Sequence, residues 1–411
     1  MFQLLVRRPW FRLLWTAGAI SLLGDWLGFV AISRLTLDQG GGPIALALVY
    51  AAHVLPHTWA MPIAGVLADR FDRRRILVSV PILQGLFTIA MAFFAARGAL
   101  GPLQLLVVVR ATIATCIPPA ETAALRHTVE STELVPANAL VGGTWSVCYV
   151  IGMALGGVIA VFGPATALLL DASSFFLAAL FASRLPVMRP PADVNQTKLR
   201  GISFVSTIPR DLKYAFDHAR ANKDLFRAVL GKAPVAIGGG AGWILVNWLA
   251  DQAKPLGTAA LSLGILQATR GAGTGIGPML VSWYHRGQTP PRNVERWAVA
   301  LTFVSIVVFS WLVSNPTLLV IAALTWGLGT GTNWVLCAAN LQRLAPDSMI
   351  GRLSSLDELW TTGSLVFGAM GAGVLLQYGS SMVQTAAIAI SVGLLFFVWL
   401  DQREALTPLP N

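Results

Sequence analysis

Gly65-Val66-Leu67-Ala68-Asp69-Arg70-Phe71-Asp72-Arg73-Arg74-Arg75-Ile76-Leu77 separates two apolar stretches, 44–67 and 76–96. Each stretch has about 20 apolar residues, the length a helix needs to cross a bilayer. Residues 69–75 hold four arginines and two aspartates. The run therefore reads as a tight turn at a membrane face, and arginine excess in so short a loop places it in the cytoplasm.

The pattern extends to the whole chain of 411 residues. Hydrophobic residues make up 55% and charged residues 12%, against roughly 25% charged in soluble domains. With a mean hydropathy of +0.67, this is the composition of an integral membrane protein built from helices. The net charge of +10 belongs to cytoplasmic loops facing anionic lipid headgroups. No soluble basic face for nucleic acid is visible. Cys116, Cys148 and Cys337 each lie inside an apolar segment, so they form neither a disulfide framework nor a metal signature. No cofactor is implied. No nucleophile–base or metal constellation supports an enzyme, and no soluble binding domain supports a non-transporting receptor. Arg7, Arg8 and Arg12 precede an apolar stretch too long for a cleaved signal core, which reads as the first retained helix.

Twelve apolar segments follow one another: 11–35, 44–67, 76–96, 103–125, 138–162, 164–183, 228–250, 257–283, 297–314, 317–340, 355–377 and 380–400. With both termini in the cytoplasm, 24 of the 29 lysines and arginines fall on one side, ten of them in the stretch 184–232. Arg34, Arg97 and Lys254 remain on the other face. The 184–232 stretch opens with Pro186, Pro190 and Pro191. Residues 211–220 within it read as an amphipathic surface helix, apolar at Leu212, Ala215, Phe216 and Ala219. The two halves repeat at an offset of 216 residues. Gly157-Val158-Ile159-Ala160-Val161-Phe162-Gly163 faces Gly373-Val374-Leu375-Leu376-Gln377-Tyr378-Gly379, Pro62 faces Pro278, and Arg70 faces Arg286. The expected organisation is an N-terminal six-helix bundle over 1–186, a cytoplasmic linker over 187–226 and a C-terminal six-helix bundle over 227–411.

The arginine turn resembles the signature loop between the second and third helices of the major facilitator superfamily of transporters. That loop reads Gly-x-Leu-Ala-Asp-Arg-x-Gly-Arg-Arg-x-x-Leu. Gly65, Leu67, Ala68, Asp69, Arg70, Arg73, Arg74 and Leu77 match it, with Asp72 at the second glycine. Gly152-Met153-Ala154-Leu155-Gly156-Gly157 is similar to the exporters' Gly-Pro-x-x-Gly-Gly in the fifth helix. Arg270 begins an Arg-Gly-Ala-Gly similar to the eighth helix of drug and siderophore exporters. The resemblance implies a monomeric inner-membrane exporter of the macrolide, siderophore and multidrug branch. Such a protein has two pseudo-symmetric bundles rocking around a midplane site and is driven by protons. A lysolipid or siderophore transporter is the alternative. The resemblance also implies a latch made of Gly65, Asp69, Arg70, Arg73, Arg74 and Glu121. In it Asp69 meets the start of the eleventh helix near Ser354 and Ser355, and Arg73 lies beside Glu121. Gly152, Gly156 and Gly157 would pack against the glycines Gly271, Gly273, Gly275 and Gly277.

Charged groups inside lipid cost about 2.5–3.5 kcal/mol each on insertion scales and mark pathways or partners. Asp25 in the first segment and Arg110 in the fourth lie at similar depth and form the expected coupling pair; a permanent structural ion pair is the other reading. His53 and His57, one turn apart in the second segment, titrate near neutral pH and read as proton shuttles or as packing residues. Trp26, Trp145, Asn247, Arg270, Trp326 and Asn333 are the expected substrate-cavity residues. Asp171 and Asp251 are further deep polar groups. Arg110 and Arg270 against the one cavity acid Asp25 point to a neutral or anionic lipophile. The expected partners are that substrate, protons and membrane lipids.

Overall fold

A computed structural model describes residues 3–130, 133–189, 203–285, 290–312, 314–346 and 349–402. Gly65, Asp69 and Arg70 lie outside the described side chains, and Arg286 lies outside the described residues. The described chain is helical. A short α1, Gln3–Arg7, leads into α2, Pro9–Asp38. There follow α3, Pro43–Val54; α4, Pro56–Arg70; α5, Arg73–Ala96; α6, Leu100–Ala114; α7, Ile117–Thr128; α8, Leu134–Ile159; and α9, Pro164–Ala182. Then come α10, Ser203–Ala221; α11, Lys223–Leu230; α12, Ala233–Gln252; α13, Ala259–Tyr284; α14, Arg292–Trp311; α15, Pro316–Leu344; α16, Ile350–Gln377; and α17, Met382–Gln402.

Among the described residues, eleven stretches are long and apolar enough to cross a membrane. Three apolar segments expected as single helices are broken in two. Pro56 starts α4 directly after α3. Pro118 sits in the first turn of α7, after the break at Thr115 and Cys116. A proline takes the first turn of a helix easily because its missing N–H is unpaired there anyway. The third break, at Gly231 and Lys232, separates α11 from α12. The expected eighth segment forms α13, 26 residues long and so about 39 Å, but it is not among the eleven. Its glycines and the polar pair Gln267 and Arg270 lower its hydropathy, and that pair is turned onto Tyr149 rather than lipid. Leu86, Phe93, Leu105, Phe367 and Leu395 are exposed along the helices, as lipid-facing residues are. Trp10, Trp283, Trp297 and Trp399 are exposed at helix ends, as interfacial anchors are.

The chain forms two compact units. Unit one comprises Met1–Gly42, Ala52–Asp193 and Ala250–Gly271. Unit two comprises Pro43–Ala51, Val194–Leu249 and Ala272–Asn411. Each takes one segment from the opposite sequence half. The contacts that hold these segments follow the 216-residue repeat. In unit one, a Cβ on Gly157 of α8 would lie 2.6 Å from the Ala260 carbonyl oxygen and 2.9 Å from Gly264 Cα in α13. In unit two, a Cβ on Gly373 of α16 would lie 2.9 Å from the Pro43 carbonyl oxygen and 3.0 Å from Ala47 Cβ in α3. The repeat's closing glycines, Gly163 and Gly379, have φ of 102° and 95°, a left-handed conformation open to glycine. Arg34, on the sparsely charged face, pairs with Asp251 at 2.7 Å and with Asp38.

In unit one the arginine turn is fastened to the chain that follows α9. Asp72 caps α5: its carboxylate accepts from Arg74 N–H and Met188 N–H, both at 3.0 Å. Arg73 is buried and donates from its backbone to the Met188 carbonyl at 3.2 Å and from its guanidinium at 3.3 Å. Arg74 donates to the Ser183 carbonyl. At the same end, Arg8 pairs with Glu130 and, at 2.8 Å, with Glu133. In unit two, the amphipathic helix expected at 211–220 is the longer α10; its apolar face is packed, while Lys213, Tyr214, His218 and Arg220 stay exposed. Ala215 and Ala219 are buried against Leu225, Phe226, Leu353 and Leu400. The Phe216 and Phe226 rings meet edge-on at 5.7 Å.

Candidate functional site

Arg110 of α6 is, among the described residues, the best-buried guanidinium of unit one, 2% exposed. Its Nη1 lies 2.8 Å from Asp25 Oδ1 of α2 and 3.2 Å from Asp171 Oδ2 of α9. The expected pair is therefore brought together, but as one cation between two acids. Asp25 keeps 29% of its side chain exposed while Asp171 is fully buried, with Asp171 Oδ1 unpartnered. Phe175 of α9 puts its ring 5.5 Å from the Arg110 guanidinium. Two glycines of α2 make the space. A Cβ on Gly28 would lie 2.4 Å from Asp171 Oδ2, and one on Gly24 would lie 1.9 Å from Ser174 Oγ. Gly24 and Gly28, one turn apart, are thus the gap into which the Asp171 side chain enters.

Two carboxylates on one guanidinium leave an excess of one negative charge in a desolvated setting. His53, at the end of α3, stacks on Phe29 at 4.4 Å and has Nδ1 unpartnered. His53 and His57 both lie within electrostatic reach of Asp25.

Beside this cluster stands an aromatic wall. Trp26 meets Tyr149 edge-on at 4.7 Å and Trp145 at 5.7 Å, and Trp145 stacks on Tyr149 at 5.5 Å. Tyr149 donates to Gln267 Oε1 at 3.0 Å. Arg270 of α13 donates to the same oxygen at 2.9 Å and to the Tyr149 hydroxyl. Trp26, Trp145 and Arg270 are thus brought together around Tyr149.

Three other expected cavity residues, Trp326, Asn247 and Asn333, belong to unit two. Trp326 is fully buried and packs edge-on against Phe309 in a socket left by Gly242, where a Cβ would lie 2.2 Å from the indole. Asn247 is buried and donates to the Trp243 carbonyl of its own helix at 2.9 Å. Asn333 is buried and donates to the Gly231 carbonyl at 3.4 Å. Depth along a helix fixed their level but not the face they occupy. Glycine packing is also corrected. Gly152 and Gly156 seat α8 on α2 at Leu23 and Leu27, and only Gly157 meets α13, at Gly264 rather than at 271–277. Of that expected face, Gly271 abuts Tyr149, while Gly273 and Gly277 abut α15. The expected Arg73–Glu121 contact is not made here. Arg73 is spent on Met188, and Glu121 Oε1 lies against Gly18 of α2.

Lys232, counted among the cytoplasmic cations, is buried on Asp357 instead. With Asp171 and Asp357 both buried, the excess of deep cations disappears. Sequence spacing missed Asp171 as a partner of Arg110; the only signal was the Gly24–Gly28 pair facing it.

A family model described as "transmembrane secretion effector" matches residues 5–409. An uncharacterized MFS-type transporter, YfiS of Bacillus subtilis (strain 168), is 30% identical over 169 residues, 41% of this chain and 40% of that one. The match thus spans well under half of that relative. The putative bacilysin exporter BacE of the same organism is 23% identical over 385 residues, 92% of this chain and 89% of that one. Among solved structures, a POT family transporter in complex with 5-aminolevulinic acid superposes with a TM-score of 0.72 at 10% identity, covering 96% of each chain. A bacterial homolog of the human lysosomal transporter Spinster, in an inward-facing and occupied conformation, superposes with a TM-score of 0.70 at 14% identity. That match covers 97% of this chain and 98% of the other.

Proposed function

The chain belongs to the transmembrane secretion effector family of the major facilitator superfamily, a multi-pass secondary transporter and not an enzyme, and on that premise we propose that it is a proton-coupled exporter of a lipophilic neutral or anionic molecule. The observation that carries the reading is Arg110 held between Asp25 and Asp171. A proton entering from water reaches Asp25, the exposed member, while Asp171 keeps the guanidinium neutralised. With Asp25 protonated, α2 is released from α6 at that point; with Asp25 ionised, the contact re-forms. That makes a switch two states wide, which is what alternating access requires. The wall of Trp26, Trp145 and Tyr149 supports a lipophilic substrate, and Arg270 at its edge supports a neutral or anionic one. The full-length similarity to a putative exporter supports outward movement. The charge asymmetry of the loops supports cytoplasmic termini.

The test uses proteoliposomes with an imposed pH gradient and a neutral lipophilic fluorogenic ester as the transported probe. Asp25→Asn is expected to abolish gradient-driven movement and to leave exchange without a gradient intact. Normal gradient-driven movement in Asp25→Asn would remove Asp25 from coupling.

A further inference from the structure

Gln267 of α13 is fully buried against the aromatic wall of unit one. Two glycines seat that wall. A Cβ on Gly152 of α8 would lie 2.7 Å from Trp26 Cβ, and one on Gly271 of α13 would lie 2.2 Å from Tyr149 Cδ1. Each ring therefore occupies space that a larger residue would take, and its place is fixed by packing.

Arg270 decides which way round the Gln267 amide lies. Its Nε is 2.9 Å from the amide. A guanidinium only donates, so the atom facing it is the oxygen, Oε1. The Tyr149 hydroxyl donates to the same oxygen at 3.0 Å and accepts from Arg270. Both lone pairs of Oε1 and the Tyr149 proton are then committed. The other end of the amide, Nε2, is a buried donor with no partner among the described residues. The indole Nε1 of Trp26 is a second. Trp26 meets the Tyr149 ring edge-on at 4.7 Å, so one tyrosine touches both side chains that carry these donors. The Arg270 guanidinium lies 5.5 Å from the same ring.

A buried polar group left unpaired costs more than a paired one contributes, and native interiors hold few. Here both are of one kind, N–H donors. Asp25, next to Trp26 in the chain, has its carboxylate on Arg110 at 2.8 Å and does not serve them. What this place calls for is an acceptor.

We infer that Gln267 is a substrate-binding residue, and that the substrate offers Gln267 Nε2 and Trp26 Nε1 an acceptor group, a carbonyl or carboxylate, on a flat apolar body lying against the rings of Trp26, Trp145 and Tyr149. The inference rests on the wall being the substrate site, and it narrows that reading. A lipophile whose polar group is an ammonium brings only further donors and is refused.

The test is equilibrium binding to the full-length protein in lipid nanodiscs, with empty nanodiscs as the blank. No pH gradient is applied, so proton coupling does not enter. The probes share one ring system: naphthoate, methyl naphthoate, naphthylmethylammonium and naphthalene. Naphthoate and its ester are expected to bind wild type more tightly than naphthalene, and the ammonium more weakly. Trp26→Phe keeps a ring but removes a donor. It should weaken naphthoate and the ester roughly 2- to 10-fold, the contribution of one hydrogen bond, and leave naphthalene unmoved. Gln267→Glu keeps the oxygen used by Tyr149 and Arg270, so its melting temperature should hold, but it turns the free donor into an acceptor. Naphthoate binding should be lost and ammonium binding gained; if this variant folds poorly, Trp26→Phe and the wild-type preference decide. Naphthoate and ester affinities unchanged in both variants would overturn the inference, and so would a wild type that takes the ammonium as tightly as naphthoate. Binding of none of the probes, naphthalene included, would remove the wall itself as a substrate site and the inference with it.

Discussion

Gly157→Ala sets a methyl group 2.6 Å from the Ala260 carbonyl oxygen and 2.9 Å from Gly264 Cα. Ordinary carbon contacts begin at about 3.5 Å. Both neighbours are backbone, so α8 and α13 must part by roughly 0.6–0.9 Å, and a gap of that size forfeits a quarter to a half of each contact's attraction. Overpacking of this kind costs about 1–3 kcal/mol, or roughly 5- to 150-fold in an equilibrium. Gly264→Ala meets the Met153 carbonyl oxygen at 2.8 Å and Gly157 Cα at 2.9 Å, and should cost a similar amount. One separation makes room for both methyls, so the double variant should cost little more than either single, a coupling within the range of about 0.5–3 kcal/mol seen for residues in contact. Thermal unfolding in detergent, followed through the fourteen tryptophans, reads all four proteins. Gly142→Ala is the control, since its methyl would meet nothing within 4 Å. Additive losses, or a Gly157→Ala that behaves like Gly142→Ala, would refute the contact.

Asp72→Ala removes the acceptor of two backbone N–H groups and should lower stability by about 0.5–2 kcal/mol, while Asp72→Asn, also a good cap, should restore most of it in the same melt. The Glu133 carboxyl is held below the usual glutamate value, first by the Glu130 N–H and then by Arg8. Its contribution to stability is therefore full at neutral pH and is lost as pH falls through its lowered value. The melting advantage of wild type over Glu133→Gln should vanish in acid beyond the ordinary glutamate range; an advantage that persists there would contradict the assignment. Arg75→Cys, exposed in the arginine turn, should react with a membrane-impermeant maleimide in inside-out vesicles and not in intact cells, and the reverse result would invert the orientation.

The membrane spans were legible because apolar length alone defines them; the break at Pro56 was not read, because apolar length runs on through the proline. The break at Gly231 was not, since Lys232 ends a charged stretch and reads as solvated; only its partner Asp357, 125 residues away, reveals that it is buried. Asp25 and Arg110 could be paired from matched depth. Asp171 could not, because three helices meeting at one guanidinium leave no periodic trace in any one of them. Trp326 and Asn333 show the same limit: hydropathy gives a residue's level in the membrane but not its direction around the helix axis.

The paired glycine contacts also bear on how the protein is made. Gly157 leaves the ribosome before α10, α11 and α12, yet the backbone that fills its groove, Ala260 and Gly264, follows all of them. The strip Pro43–Ala47 waits longer still, for Gly373 near the end of the chain. Insertion of the early helices therefore leaves two grooves facing lipid, and neither is closed by its neighbours in sequence. A ribosome that stops in the linker releases a product with the groove at Gly157 open, a surface that membrane proteases meet on the fragment and that the finished chain no longer presents.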